Sequence, residues 1–439
     1  METTRNKHLF KLSMLAGALA FLCQNPASAT NGYFSHGNGS VAKGMGGAAT
    51  AMTEDSFGGA NNPATMVWVG NRFDAGVDWF QPSRSATRSG AAIATLNGTS
   101  ESESKNFLIP EIGYNRMSGS DLSFGVSAYG NGGLNTTYLQ GNYNCGSQTG
   151  NNMLCGVGAL GVDMMQLIVA PTVSAKLGAR HSVGLSLLIG YQRFKADGLQ
   201  AFDNAPGFPP FTGAPGSVTN NGYDSSRGVG LRIGYLGRFG DSITLGAAYA
   251  GKMNMSKFAM YRGLFSGAGD FDIPENYSIG VAFRPGQRAT IAFDYQHISY
   301  GQVRSIGTAS MPVAPLGASN GPGFGWKDID VFKLGGAYKL NEKMTVRAGY
   351  NHGGNPIGAA DVSFNILAPG VVQNHYTLGM SYAVCASCAI SVSAMHAPRS
   401  NVSGKSLFNG LFAVPASAGG DETIGMSQNS VALAWSSSF

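Results

Sequence analysis

The chain has 439 residues and a formal net charge of +5, and 12% of its residues are charged, against about 25% in soluble domains. This net charge is too small to indicate nucleic acid or another polyanion as a partner. Glycine is abundant, at 64 residues, yet no segment beyond the N-terminal leader reaches the roughly 18 consecutive apolar residues of a membrane-spanning helix.

The N-terminus has the pattern of a secretory signal peptide. Three basic residues in the leader precede an apolar run over residues 12–23, and Ala27-Ser28-Ala29 has the small-x-small form that signal peptidase accepts. Residues 1–29 are therefore predicted to be cleaved from an exported protein. Such a chain can enter a membrane without spanning helices as a closed β-barrel, whose strands satisfy each other's backbone groups. A secreted β-sandwich or β-solenoid is the alternative.

Residues 30–71 show no alternation of apolar and polar positions. They are polar and rich in glycine, and residues 41–51 favour a short helix. About forty residues ahead of the first strand are too many for a simple tail, and glycine permits close backbone packing in a confined space. We interpret this segment as a plug inside the barrel, with a periplasmic extension as the alternative.

Residues 72–439 are predicted to form the barrel because they alternate with a period of two. In residues 242–249, for example, isoleucine, leucine and tyrosine alternate with serine, threonine and glycine. We therefore predict an all-β, 14-stranded antiparallel transmembrane β-barrel, with the even strand number of single-chain bacterial barrels. The predicted strands are 72–81, 105–115, 121–130, 162–177, 181–195, 223–239, 242–254, 271–284, 288–300, 326–339, 344–352, 374–385, 388–397 and 426–439.

The connections between these strands alternate between tight turns and long loops. Turns such as 178–180 and 240–241 separate long segments rich in Gly, Pro, Ser and Asn, such as 131–161 and 196–222. Short periplasmic turns and long external loops are typical of outer-membrane barrels. The pattern predicts that both ends of the barrel chain lie in the periplasm.

The third predicted strand runs into Gly130, Asn131, Gly132 and Gly133, where three glycines in four positions should interrupt the ladder. A plain loop start is the alternative. At the other end of the chain, apolar and aromatic residues share one face of the last strand and end on Phe439. This resembles the terminal signature that the outer-membrane assembly machinery recognises, so that machinery is a predicted partner.

Four cysteines follow the leader in two pairs. Cys145 and Cys155 lie in one long external loop, and Cys385 and Cys388 flank a turn, so each pair could close a disulfide in an oxidising compartment. A zinc site at Cys385 and Cys388 lacks a second ligand pair, so no metal is predicted.

No cofactor or enzymatic activity is indicated by the sequence. The histidines are scattered without a serine or aspartate at a telling spacing, and the glycine pairs do not open a strand–helix unit. These histidines are His36, His181, His297, His352, His375 and His396.

Five motifs in order resemble the FadL and TodX family of outer-membrane transporters for long-chain fatty acids and aromatic hydrocarbons. They are Gly32-Tyr33; Gly44-Met45-Gly46-Gly47-Ala48 with Glu54-Asp55; Asn62-Pro63-Ala64; Ile273-Pro274-Glu275-Asn276-Tyr277 with Arg284-Pro285; and Trp326-Lys327-Asp328 with Arg347-Ala348-Gly349-Tyr350. The resemblance covers nearly the whole mature chain.

The resemblance implies a fourteen-stranded barrel filled by an N-terminal hatch. Ligand would occupy an apolar pocket above the hatch, with Tyr33 and Phe34 as contacts, and leave sideways into the bilayer near the glycines of the third strand. Asn62, Pro63 and Ala64 would be structural, with Pro63 fixing the backbone and Asn62 supplying hydrogen bonds.

The predicted function is therefore uptake of hydrophobic compounds by a monomer in the outer membrane, with membrane lipid as a further partner. A general diffusion porin is one alternative, and an adhesin or structural barrel that acts through its loops is another. A porin should line its lumen with charged rings. The motifs place no carboxylate-binding residue, and the basic candidates in or beside strands are Arg116, Arg193, Arg232 and Lys327. Fatty acid and neutral hydrocarbon both stay open as ligands.

Overall fold

The computed structural model describes residues 31–145, 151–204, 210–310, 314–411 and 419–439, without the side chains of residues 410 and 411. The predicted signal peptide lies outside these ranges.

Fourteen antiparallel strands form one closed barrel, which confirms the predicted fold. Each strand pairs with the next along the chain, and the last pairs with the first from Ser438 opposite Arg72 to Asp421 opposite Ser89. The strands are β1 (Arg72–Ser89), β2 (Phe107–Ser118), β3 (Leu122–Tyr138), β4 (Leu160–Leu177), β5 (His181–Asp197), β6 (Asp224–Phe239), β7 (Ile243–Ala250), β8 (Asn276–Phe283), β9 (Ala289–Ile298), β10 (Ile329–Lys339), β11 (Met344–Gly353), β12 (Asn374–Ala383), β13 (Cys388–Lys405) and β14 (Asp421–Ser438).

Two further strands are short and lie at the barrel's rim. Gly98–Glu101 pairs with β1, and Asn254–Met255 pairs with β6. The helices are also short: α1 (Ser40–Gly44), α2 (Ser266–Gly269), α3 (Arg304–Gly307) and α4 (Phe408–Leu411), with 3-10 turns at Pro63–Trp68, Ala94–Leu96, Gln200–Phe202, Ala259–Tyr261, Tyr300–Gln302, Ala359–Asp361 and Phe364–Ile366. Within the described ranges, no helix is long and apolar enough to cross a membrane.

The predicted strand ends are wrong at several places, and the largest differences lie at the end of the barrel that carries the long loops. β1 continues to Ser89, and β13 continues to Lys405. The exposed side chains of these extensions are polar, such as Ser83 and Asn401, so the apolar lipid-facing alternation that marks a strand is absent there. β8 begins only at Asn276, because Pro274 has no N–H to donate to a ladder.

The outward and inward faces differ as the alternation predicts. On β6 and β7 the side chains of Leu231, Ile233 and Leu245 are exposed, whereas Thr244 and Ala248 are buried. Apolar side chains therefore face outward, where lipid replaces water, and small or polar side chains face the lumen.

The N-terminal segment (residues 31–70) lies among the inward-facing side chains. Asn62 caps the 3-10 turn at Pro63, where its side chain accepts a hydrogen bond from the Ala64 amide at 3.1 Å. The Asn62 amide group donates to the carbonyl oxygens of Thr50, at 2.7 Å, and Tyr235, at 3.0 Å. One side chain thus joins two turns of the segment to β6.

Buried charges hold the same segment against the barrel wall. The Lys43 ammonium contacts the carboxylates of Asp78 at 3.0 Å and Glu111 at 3.2 Å. Elsewhere the Asp294 carboxylate accepts hydrogen bonds from the Ala49 and Thr50 amides, both at 2.8 Å. These partners lie on β1, β2 and β9, so the segment is fixed on opposite sides of the lumen.

Close approach of the two backbones requires glycine at the contact. A Cβ atom on Gly349 would lie 2.1 Å from the Gly46 nitrogen, and one on Gly246 would lie 2.1 Å from the Thr50 oxygen. The small lumen-facing residues of the alternating pattern therefore make room for the N-terminal segment.

We predict that Lys43→Met loosens the N-terminal segment. The substitution leaves Asp78 and Glu111 buried without their cation, and breaking a buried ion pair in this way costs about 3–5 kcal/mol. The thermal unfolding midpoint of the purified barrel should fall, and sugar permeation in liposome swelling should rise. Lys339→Met is the matched control, because its partner Glu342 is exposed. Equal midpoints and permeation for the two variants would contradict the anchoring role.

Candidate functional site

An apolar cavity lies beneath the external loops. A narrow inner part of about 40 Å³ adjoins a wider outer part of about 660 Å³. Residues that line both parts include Phe202, Phe364 and Leu407. None of the described residues that line the inner part carries a charge. They are Leu154, Val162, Phe194, Leu199, Phe202, Leu264, Phe265, Ser305, Leu316, Pro322, Gly323, Phe324, Ser363, Phe364, Leu367 and Leu407. This lining suits an apolar ligand.

A buried ion pair holds the walls of the cavity together. Arg88 on β1 contacts Glu422 on β14 at 2.6 Å, and Arg88 also donates to the Met153 carbonyl at 2.9 Å. The Glu422 carboxylate further accepts hydrogen bonds from the hydroxyls of Ser363 and Ser406. Three external loops therefore meet at this one ion pair.

One wall segment of the cavity (residues 362–368) is also bonded to β3. The Thr136 hydroxyl donates to the Leu367 carbonyl at 2.8 Å, and the Tyr138 hydroxyl donates to the Ile366 carbonyl at 2.9 Å. From the same segment, the Asn365 side chain accepts from the Trp326 indole at 2.6 Å. The cavity wall is thus connected to two other parts of the candidate site.

The barrel ladder is interrupted between β2 and β3. The two strands pair only from Ser118 opposite Leu122 to Ile112 opposite Ala128, so residues 107–111 of β2 have no ladder partner on β3. A bridge between Ser102 and Tyr138 closes the outer end. The result is a gap in the wall, bounded at both ends, which we call the β2–β3 gap.

The glycines singled out in the sequence lie beside this gap. The prediction that the third strand ends at Gly130 is wrong, because β3 continues to Tyr138 along β4. Its register shifts between Gly130 and Gly132, so Asn131 forms a β-bulge that bends the strand away from β2. The glycines therefore permit a bend and do not end the strand.

The start of the N-terminal segment lies against the bulge. Phe34 forms a backbone bridge with Gly132, and the Ser35 amide donates to the Asn131 carbonyl at 3.4 Å. A Cβ atom on Gly132 would lie 2.3 Å from the Tyr33 oxygen, so only glycine fits there. The N-terminal backbone thus partners β3 where β2 does not.

Tyr33 and Phe34 are buried in an aromatic cluster. The Tyr33 ring lies 5.2 Å from Tyr300 and 5.9 Å from Trp326, measured between ring centroids. The Tyr300 hydroxyl accepts from the Tyr33 and Phe34 amides at 3.2 and 3.3 Å and donates to the Asn31 carbonyl at 2.5 Å. Neither Tyr33 nor Phe34 lines the apolar cavity. Phe34 instead borders a polar chamber of about 50 Å³.

The basic residues proposed from the sequence do not meet at one site. Arg232 donates to the Gly59 and Ala60 carbonyls, and Arg193 lies 4.1 Å from the centroid of the Tyr223 ring. Arg116 and Lys327 are exposed. None of the four lines the apolar cavity. Arg88 and Glu422 were not identified from the sequence. Continuing the alternation of β1 past residue 81 would have placed Arg88 on the inward face.

Both cysteine pairs form disulfides in the structure. Cys145 pairs with Cys155 in the loop after β3, and Cys385 pairs with Cys388 in the turn between β12 and β13. The first disulfide lies beside Leu154, which lines the cavity. The second is at the opposite end of the barrel.

The sequence matches the family model described as outer membrane protein transport protein (OMPP1/FadL/TodX) over residues 22–406. The chain belongs to this family. It is therefore an outer-membrane protein of a family of transport proteins. A search of curated proteins found no match.

Solved structures with similar folds include the toluene transporter TodX of Pseudomonas putida, with a TM-score of 0.65, 19% identity, and coverage of 92% of this chain and 99% of TodX. A Pseudomonas aeruginosa FadL homologue has a TM-score of 0.67 and 15% identity, and the match covers 93% of this chain and 100% of the homologue. The toluene transporter TbuX of Ralstonia pickettii has a TM-score of 0.62 and 17% identity, with coverage of 92% and 99%. At these identities the similarity shows the shared fold.

Two buried histidines stack where the N-terminal segment meets β12. The His36 and His375 ring centroids are 6.1 Å apart with nearly parallel planes. Burial, reinforced by the charges of Lys43 and Lys333, lowers the pKa of His36 to about 3. His36 is therefore neutral in the folded protein at and below neutral pH.

We predict that acid weakens the packing at His36. Below pH 6.5 the unfolded chain gains a proton on this histidine that the folded protein does not, so stability falls as the pH drops, by up to about 1.4 kcal/mol per unit. The difference in thermal midpoint between wild type and His36→Gln should therefore change between pH 7.5 and pH 4.5, to the disadvantage of wild type. Burial and the charge of Asp74 raise the pKa of Asp55 to about 7. This carboxyl therefore makes the folded protein more stable as the pH drops, but it does so equally in wild type and in His36→Gln. A constant difference across this range would contradict the assignment.

Proposed function

We propose that this protein takes up hydrophobic compounds across the outer membrane, binding them in the apolar cavity and releasing them sideways through the β2–β3 gap. The observation that carries the proposal is the pairing of a cavity whose inner part is uncharged with a gap in an otherwise closed ladder. The substrate class is aromatic hydrocarbons or the apolar chains of fatty acids. TodX and TbuX, which share the fold, are toluene transporters by name.

The cavity supports an apolar substrate through the composition of its walls. Phe194 lies 4.8 Å from Tyr261 and 4.6 Å from Phe265, measured between ring centroids. Burial of apolar surface contributes about 25 cal/mol per Å². Aromatic walls of this kind bind a hydrocarbon through buried area and ring contacts, and the inner part offers no charged group to select a head group.

Lateral release is supported by the solvent preference of such a substrate. A hydrocarbon that continued into the periplasm would lose the free energy gained by burial, whereas the bilayer core retains it. The β2–β3 gap is the place where the described ladder opens toward lipid, and Phe34 lies across it. In this proposal the N-terminal segment, residues 31–70, is both the plug of the lumen and the closure of the gap.

A general diffusion porin fits these contacts poorly. The lumen holds the N-terminal segment, whose Lys43 is bound to Asp78 and Glu111 and whose Glu54 is bound to Arg347 at 2.9 Å. Water-filled passage would require these buried pairs to separate. Among the described residues of the external loops, no contact specifically favours an adhesin.

We predict that cells carrying the gene take up toluene and oleate faster than cells lacking it, while liposomes containing the protein swell slowly in sugars. Phe364→Asp should reduce uptake of both compounds at least tenfold, because it places a carboxylate in the apolar wall, where an unpaired charge is strongly disfavoured. Phe364→Leu, which keeps the wall apolar, is the control and should stay close to wild type. Rapid sugar permeation with no effect on either hydrophobe would refute the proposed function.

We further predict that Tyr300→Phe opens the gap more often. The change removes the hydroxyl that contacts Asn31, Tyr33 and Phe34, and each such hydrogen bond contributes about 0.5–1.5 kcal/mol. Hydrophobe uptake should become several-fold faster at unchanged cavity affinity. Tyr338→Phe, on the exposed face of β10, is the control. Equal uptake rates for wild type and Tyr300→Phe would argue against closure by the N-terminal residues.

A further inference from the structure

The inward face of β1 carries five charged residues, Arg72, Asp74, Asp78, Arg84 and Arg88, and they are not equally compensated. Asp74 is bound to Arg72 at 2.9 Å, Asp78 to Lys43 at 3.0 Å, and Arg88 to Glu422 at 2.6 Å. Arg84 shares their phase and is also buried, but no carboxylate lies within ion-pair distance of it among the described residues.

The internal segments outside the described ranges cannot supply the missing anion, because residues 146–150, 205–209, 311–313 and 412–418 contain no Asp or Glu. In residues 1–30 the one acidic residue is Glu2, which belongs to the signal peptide predicted to be cleaved. Arg84 instead donates through Nη2 to the Ser104 carbonyl and lies over the Phe107 ring, with its Cζ 5.7 Å from the centroid. Its Nε is buried and has no hydrogen-bond partner among the described residues. A buried arginine in this state retains unused capacity to bind an anion.

Arg84 lies at the outer end of the β2–β3 gap. Phe107 is the first residue of β2, and Ser104 precedes it next to the Ser102–Tyr138 bridge. Ser104 and Phe107 also line an open cleft of about 380 Å³ on the barrel surface. Ser104 and Phe107 therefore lie between the Arg84 guanidinium and a cleft that is large enough for a head group.

The acidic residues of that cleft already have donors of their own. Asp163 accepts from the Tyr223 hydroxyl at 2.5 Å, Asp197 contacts Lys195 at 2.9 Å, and Glu103 lies 3.7 Å from Lys105. Each of these carboxylates is thus bound to a donor on the walls of the cleft, and none of them pairs with Arg84.

We propose that Arg84 binds the anionic head group of an amphiphile, a single carboxylate on an apolar chain, at the outer end of the β2–β3 gap. The inference rests on the proposed lateral release and adds to it a residue that selects anionic over neutral substrates. The chain would lie along Phe80, Phe107 and Ile109, which are buried on the inward faces of β1 and β2. Guanidinium groups match carboxylates because their donors form a planar fork.

The position also suits the orientation of an amphiphile in the membrane. Arg84 lies toward the end of the barrel with long loops, which is the external end in outer-membrane barrels. A head group held there leaves the chain beside the hydrocarbon layer, with the carboxylate at the level of the outer surface. A neutral hydrocarbon would pass the same gap without using Arg84.

The test compares laurate with 1-dodecanol, which have the same chain length and different head groups, for binding to the purified full-length protein in neutral detergent at pH 8. Wild type should bind laurate about tenfold more tightly than dodecanol. Arg84→Met should remove this preference and leave dodecanol affinity and toluene uptake unchanged, and Arg84→Lys should retain part of the preference. Arg116→Met, at the exposed far end of β2, is the control and should keep the wild-type ratio.

Stability separates a binding role from a structural one. If Arg84 serves a ligand, Arg84→Met should unfold at the same temperature as ligand-free wild type or higher, because it removes an uncompensated buried charge. A lower midpoint together with an unchanged laurate preference would overturn the inference. Equal affinity of wild type for the two ligands would also overturn it, even if the variant did not fold. Toluene uptake by wild type would still support the proposed function in both cases.

Discussion

The hydrocarbon layer offers no hydrogen-bond partners to a peptide backbone, and the rest of this structure depends on that constraint. Fourteen strands meet it by pairing round a closed ring, from β1 back to β14. The ring of paired strands is interrupted where β3 bends away from β2. There the backbone of the N-terminal segment bonds to β3, through Phe34 at Gly132 and Ser35 at Asn131. The N-terminal segment thus supplies hydrogen bonds to β3 at the point where β2 no longer pairs with it.

The same alternation that presents apolar side chains to lipid also prepares the lumen for the N-terminal segment. Inward positions carry small residues where the two backbones touch, as at Gly246 and Gly349, and carboxylates where the segment presents donors, as at Asp294 and Glu111. The buried carboxylates of Asp294 and Glu111 are therefore both bound to groups of the segment. Removing the segment would leave these charges in a narrow lumen, so barrel and segment depend on each other for stability.

The barrel could be predicted from the sequence, whereas most of the site could not. Alternation is a local signal, and it located the strands wherever one face meets lipid. It failed beyond residue 81 of β1, where exposed side chains such as Ser83 and Ser89 are polar, and beyond residue 130 of β3, where both faces of the strand are buried. Arg88 and Glu422 are 334 positions apart. Their contact, like that of Tyr300 with Tyr33, follows from barrel closure and loop packing, and no local pattern of residues encodes it.

The wall segment at residues 362–368 joins what would otherwise be separate parts of the proposed transport route. Phe364 and Leu367 line the cavity, and the Ile366 and Leu367 carbonyls accept hydrogen bonds from Tyr138 and Thr136 on β3. Asn365 binds Trp326, which packs on Tyr33. The inner part of the cavity is narrow, at about 40 Å³ beside an outer part of about 660 Å³, so a ligand that moves inward presses on this wall segment. If the segment moves, it must either break its bonds to β3 and Trp326 or move those groups with it. Both outcomes act on β3 and on the N-terminal residues that border the β2–β3 gap. In the proposed route, filling the cavity and opening the wall are therefore mechanically linked.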